Sequence, residues 1–145
     1  MVMSTSDVDA VASALFVSVG LLRRRLRRVS VPGDLTFGEI AALARLERCG
    51  PATAADLARQ EQISPQSMGA TLAGLENTGL VARGADPLDG RRVVLSVTDA
   101  GLRALATRRE ARVEQLAGAL STFTKTELRQ ILAAAPLIER LADSL

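Results

Sequence analysis

Apolar residues recur at Val8, Ala12, Leu15, Val19, Leu22, Leu26 and Val29, in alternating steps of four and three. That spacing lays a stripe along one helix over roughly residues 7–29, and Val31-Pro32-Gly33-Asp34 ends it. A second helix is predicted after Thr36, with Ile40, Leu43, Ala44 and Leu46 as its apolar positions and Gly50-Pro51 as its stop. Thr53-Ala54-Ala55-Asp56 has the Ser/Thr-x-x-Asp/Glu form of a helix start and opens a short helix to about Arg59. Gln60-Glu61-Gln62 is then a tight connection.

The next helix has both ends marked. Ser64 suits an N-cap, and Pro65 suits the first helical position, where no amide donor is required. Ile63 and Met68 fall where a hydrophobic staple closes, and Gly79 fits the left-handed position after the last turn, with Leu80 folding back on Leu75. The helix therefore covers about residues 65–78. Met68, Leu72 and Leu75 define its buried side. The opposite side presents Gln66, Ala70, Ala73, Gly74 and Asn77, flanked by Ser67 and Thr71.

Two β-rich runs follow, Leu80-Val81-Ala82-Arg83 and Val93-Val94-Leu95-Ser96-Val97. Between them Asp86-Pro87 and Asp89-Gly90 are turn signals, so the segment reads as a hairpin with an extended tip from which Arg91 and Arg92 leave together. Thr98-Asp99 then caps a long helix to about Leu120, carrying Leu102, Leu105, Val113, Leu116 and Leu120 on one side. Thr124-Lys125-Thr126-Glu127 opens a last helix with Leu128, Ile131, Leu132, Ala135, Ile138 and Leu141. Pro136 inside it removes the bond to the Leu132 carbonyl and predicts a kink.

The fold class this order predicts is mainly α (α+β): a winged helix-turn-helix core with a two-stranded wing, flanked by N- and C-terminal dimerisation helices. Residues 35–98 form the DNA-binding region and residues 1–34 and 99–145 the helical dimerisation region, intertwined as a single domain. The stripe on the first helix and the apolar positions of the last exceed what a small winged-helix core covers, and a second copy of the chain would bury them.

Composition sharpens this picture. The chain has 145 residues, 48% of them apolar, with three Phe and neither Trp nor Tyr, so the core is built from Leu, Val and Ala. Net charge is only +2, yet the pI is 9.4 and all but one of the 18 basic residues are Arg, the side chain suited to bidentate phosphate and base contacts. The run Arg23-Arg24-Arg25-Leu26-Arg27-Arg28 reads either as a dipole-matched, solvated helix end or as a secondary phosphate contact. No apolar run approaches the ~18 residues of a membrane span, and the N-terminus lacks a signal pattern, so the expectation is a cytoplasmic protein with no membrane partner. Cys49 is the single cysteine and His is absent. Disulfides, metal clusters and His-based catalysis are thereby disfavoured, and no cofactor is expected. Neither a Gly-x-Ser-x-Gly motif nor a phosphate-cradling Gly loop is present, so an enzyme is not expected.

The middle of the chain resembles the MarR family (multiple antibiotic resistance regulators). The resemblance is carried by Thr53-Ala54-Ala55-Asp56-Leu57-Ala58, Ile63-Ser64-Pro65, Leu75-Glu76-Asn77-Thr78-Gly79-Leu80-Val81, Asp86-Pro87-Leu88-Asp89-Gly90-Arg91-Arg92 and Leu95-Ser96-Val97-Thr98-Asp99-Ala100-Gly101. The wing running into Val-Thr-x-x-Gly is the specific part. The resemblance implies a homodimeric transcription regulator, usually a repressor, on a pseudo-palindromic operator in double-stranded DNA, released by a small molecule or an oxidant. It places the capped helix in the major groove, with Ser64, Gln66, Ser67, Ala70 and Thr71 as candidate contacts: Gln66 suits adenine, while Ala70 or Thr71 suits a thymine methyl. It makes Arg91 and Arg92 minor-groove candidates with Asp89 as their positioner, and Arg83 a further wing contact.

One departure stands out. The family commonly places Arg or Lys midway along this helix, where Met68-Gly69-Ala70-Thr71 carries no charge. Phosphate anchoring then falls to the helix N-terminus, the wing, and Arg59 or Arg83, with modest affinity and a shallow salt dependence. Gly69 and Gly74 weaken the helix, and nothing in the sequence explains them. The peroxide-sensing branch uses a cysteine near the start of the first helix beside tyrosines. Cys49 lies elsewhere, so it reads as a buried structural thiol. The expected effector is small and lipophilic or phenolic, with Phe16 and Phe37 as candidate pocket residues, although a Phe at such positions is more often plain core. The uncharged helix face also leaves open a winged-helix protein-interaction module with weak or lost sequence-specific DNA binding.

Overall fold

The structure is a computed structural model that describes residues 4–27 and 34–145. The chain divides into two compact units, residues 1–37 and residues 38–145. Of the sequence expectations, Val29, Arg28 and the Val31-Pro32-Gly33 stop lie outside the described residues.

The first unit is α1 (Thr5–Arg27), with Asp7 in its first turn and three arginines in its last. Ser4 starts it: its hydroxyl accepts the Asp7 amide, and Asp7 Oδ2 takes the Ser4 amide in return, satisfying two donors that a helix start otherwise leaves open. None of its described residues is buried within the chain. Its charge-free stretch, residues 10–22, is too short for a bilayer core at 1.5 Å per residue. A wider 18-residue window nevertheless reaches a mean hydropathy of 1.4, so α1 is long and apolar enough to pass as a membrane span by length and composition. The expectation that nothing approaches a span holds for uncharged runs only, because that window includes Asp7 and Asp9.

The second unit holds α2 (Phe37–Cys49, entered from the first unit), α3 (Ala54–Gln60), α4 (Pro65–Asn77), β1 (Val81–Ala85), β2 (Val93–Val97), α5 (Asp99–Leu120) and α6 (Lys125–Asp143). Each boundary has a local cause. Gly50 ends α2 at φ 80°, and the α3–α4 connection turns on Gln62 at φ 55°, a left-handed conformation uncommon outside Gly and Asn. Thr53, Ser64, Thr98 and Thr124 each cap a helix by accepting the amide three residues on. Of these four, the cap of α6 is the one that forms the full reciprocal box, with Glu127 returning to the Thr124 amide as Asp7 does to Ser4 in α1. α6 runs unbroken through Pro136.

The two strands pair antiparallel with Val81 opposite Val97 and Ala85 opposite Val93. The sheet has the two predicted strands, and an isolated bridge joins its inner edge. Ala52, in the α2–α3 connection, exchanges both backbone hydrogen bonds with Leu95, at 3.1 and 2.8 Å. The sequence gives no sign of this because a single bridging residue has no periodicity.

The core lies where α2, α3, α4 and the sheet meet: Leu43, Leu46, Leu57, Met68, Leu72, Leu75 and Leu95 are essentially solvent-free, and α5 adds Leu105. Met68, Leu72 and Leu75 are thus the inward side of α4, as their spacing predicts. Gly101 lets α5 start against the hairpin base. Thr98 donates from its amide to the Leu80 carbonyl at 3.0 Å and from its hydroxyl to the Gly79 carbonyl. A Cβ on Gly101 would drive into Leu80 O, which gives the Val-Thr-x-x-Gly run its physical reason.

Candidate nucleic-acid interface

The capped helix α4 is held rigidly at both ends. Ser64 Oγ accepts the Ser67 amide at 3.1 Å, and Pro65 occupies the first turn. At the other end Gly79, at φ 74°, donates to the Glu76 carbonyl and Leu80 to the Leu75 carbonyl, the paired bonds of a Schellman termination. With its inward side fixed, α4 exposes Ser64, Gln66, Ser67, Ala70, Ala73 and Asn77. Thr71 is only half exposed, its Oγ1 3.6 Å from where a Gly38 Cβ would stand. Ser64 and Ser67 also bond hydroxyl to hydroxyl.

A Cβ on Gly74 would lie 3.2 Å from Glu39 Oε1, the end of a flexible side chain on α2 that would have to give by a few tenths of an ångström. Gly69 faces open space and nothing in the structure explains it.

The wing tip is built from two short Asp-centred turns. Asp86 Oδ1 accepts the Leu88 amide at 2.9 Å and Asp89 Oδ1 the Arg91 amide at 3.1 Å, the self-bonding that makes Asp a turn residue. Backbone bonds from Asp86 to the Arg92 carbonyl and from Arg92 to the Asp89 carbonyl close the loop. Asp89 therefore orders the Arg91 backbone, and no bond from its carboxylate to either guanidinium is present among the described residues. Asp89 Oδ1 thus acts on the Arg91 backbone rather than on a guanidinium.

Arg92 is held by a different acid. Its Nη2 donates to Asp56 Oδ2 at 3.1 Å, while Arg59 takes Asp56 Oδ1. Arg83 Nε donates to Glu76 Oε1 at 2.6 Å. Arg59 and Arg83, expected as phosphate anchors, are thus already ion-paired within the chain. Arg91 is exposed, and among the described residues its guanidinium has no such pair. The Thr53 hydroxyl first, then the charges of Arg59 and Arg92, hold the Asp56 carboxyl below the usual carboxylate range. Sequence reasoning read Asp56 only as part of a helix start. Its pairing with a residue thirty-six positions away left no local signal.

Cys49 is exposed. The expectation of a buried thiol is corrected: it is the last residue of α2, beyond Leu46, where the buried side ends. Phe16 and Phe37 are also exposed, so within the chain neither is core. Arg27 and Arg23 instead lie over the Phe37 ring, at 4.4 and 5.5 Å from its centroid. No group of His, Cys, Asp and Glu able to hold a metal ion occurs among the described residues.

A short helix and a doubly capped helix, followed by a hairpin whose tip offers a free guanidinium, define a winged helix-turn-helix of the DNA-binding class. Residues 33–92 match the MarR family model. The chain is 36% identical over 138 residues to an uncharacterized HTH-type transcriptional regulator of Mycobacterium bovis, covering 94% of this chain and 96% of that one. It is also 36% identical over 124 residues to an HTH-type transcriptional repressor of Mycobacterium tuberculosis, covering 84% and 88%. Among solved structures it is similar to a transcriptional regulator protein of Pseudomonas aeruginosa, at TM-score 0.77 and 32% identity over 97% of this chain and 98% of that one. A MarR family protein of Bacillus stearothermophilus shares the fold at TM-score 0.74 and 21% identity, over 98% and 99%. The chain belongs to the MarR family of winged helix-turn-helix transcription regulators, and it is a DNA-binding regulator rather than an enzyme.

Proposed function

We propose that this protein is a homodimeric, cytoplasmic transcriptional repressor that binds a pseudo-palindromic operator and is released by a small effector. The observation that carries the reading is the shared exposure of the small-residue side of α4 and the unpaired Arg91 of the wing. Short side chains let α4 approach base edges closely; Gln66 offers a bidentate amide to adenine, and Ala70, with Thr71 partly accessible, an apolar contact to thymine. Ser64 and Ser67 stand beside the α4 N-terminus, whose amides favour a phosphate. Arg91 reaches the minor groove, Asp89 shapes the turn that presents it, and Arg92 and Arg83 complete the wing.

Dimerisation is supported by α1 and α6, which bury no described residue within the chain although both carry large apolar residues. A two-fold dimer would set two α4 helices about 34 Å apart, one DNA turn, which suits a palindrome. A relative named a transcriptional repressor supports the direction of control. The effector is taken to be lipophilic or phenolic, as the family resemblance implies.

The test is selection of genomic DNA fragments on the purified protein, then fluorescence anisotropy with a retained duplex across a salt series. Selective, salt-dependent binding is the expected result. The uncharged face of α4 favours one rival, a protein-interaction module, which would bind DNA weakly and without regard to sequence.

A further inference from the structure

The two adjacent arginines of the wing are treated differently by the fold. Arg92 Nη2 reaches back 3.1 Å to Asp56 Oδ2 on the first turn of α3. Asp56 is well placed to hold it. Its amide is bound by the N-cap Thr53 at 3.1 Å, and its second oxygen is taken by Arg59. The Thr53 hydroxyl and both guanidinium groups favour its charged form at neutral pH. Arg91 contributes its amide, to Asp89, and its exposed side chain makes no ion pair among the described residues.

We propose that Arg92 is the anchor of the wing, clamped to α3 by Asp56 as a positioning residue, and that Arg91 alone is the guanidinium each wing puts into the minor groove. This assignment rests on the DNA-binding reading above. Its physical basis is charge. Arg92 already holds a carboxylate, shared with Arg59, so moving it into the groove would exchange that pair for a phosphate contact with little net gain. Exposed ion pairs add little to global stability, so the effect of this one is local, on where the hairpin tip sits.

The experiment measures binding of a selected duplex by anisotropy over a salt series, for wild type, Arg91→Ala, Arg92→Ala, Arg92→Lys, Asp56→Asn and the Asp56→Asn/Arg92→Ala double variant. Melting curves confirm that each variant is folded. Arg91→Ala should weaken binding at least tenfold and flatten the salt slope by about 0.9 for each phosphate charge no longer neutralised. Arg92→Ala and Asp56→Asn should each weaken it by only about threefold with the slope unchanged. The double variant should be no worse than either single one, the sign of a shared interaction, and Arg92→Lys should recover most of the loss. The assignment is overturned if Arg92→Ala flattens the slope as Arg91→Ala does, or if Asp56→Asn is silent while Arg92→Ala is not. If the wild-type protein retains no duplex selectively, the DNA-binding reading itself fails, which is a distinct result.

Discussion

A Cβ on Gly101 would press into the Leu80 carbonyl and lie 2.7 Å from Val97 Cγ2, so the start of α5 tolerates no side chain there. Gly101→Ala is expected to destabilise the fold by about 1–3 kcal/mol through overpacking, read as a fall of several degrees in melting temperature. Glu127 shows how a single carboxylate makes stability pH-dependent. The Thr124 backbone amide, then the Thr124 hydroxyl, hold it below its ordinary value. A carboxyl lowered in the folded state stabilises above its unfolded pKa, and the contribution disappears as pH falls through the folded one. Urea titrations should therefore separate wild type from Glu127→Gln at neutral pH and bring the two together in acid. At this scale the sequence was legible for caps and turns, because their chemistry is local. The partner of Arg92 was not, because it comes from a distant segment.

Among the elements, α4 depends most on its ends. Substituting Ser64 by Ala removes the acceptor for the Ser67 amide and should cost about 1 kcal/mol. Gly79→Ala forces a side chain into φ 74°, at a further cost of about 1–2 kcal/mol. Denaturant unfolding of each variant checks both figures. The hairpin was legible from its two apolar runs and the Asp-Pro and Asp-Gly signals. Its strands pair further toward the tip than expected, with Ala85 opposite Val93, so the loop is shorter than the sequence suggests. The bridge of Ala52 to Leu95 ties the start of the helix-turn-helix to the wing, and the Asp56–Arg92 pair does so again nearer the tip.

For the whole molecule, the apolar faces of α1 and α6 stay uncovered in the single chain. Phe16 is 83% exposed and Leu132 74%, far from the burial that large apolar side chains usually find. If a second copy covers them, Leu132→Glu or Phe16→Glu should shift the species seen by sedimentation velocity from dimer toward monomer. Operator binding should weaken with it, because one half-site holds far less tightly than two linked ones. An unchanged sedimentation coefficient in both variants would remove the support these faces give to a dimer.

The sequence by itself determined the helix and strand order, the caps and stops, the inward side of α4 and the family, because each is written in short-range periodicity or in adjacent residues. Only the tertiary structure decided which acid holds which arginine, why Gly101 has no side chain, and that Cys49 and Phe16 lie on the surface. Those outcomes depend on contacts between segments far apart in the chain. Such contacts leave no periodic trace, and the burial of one residue is set by what the others leave room for.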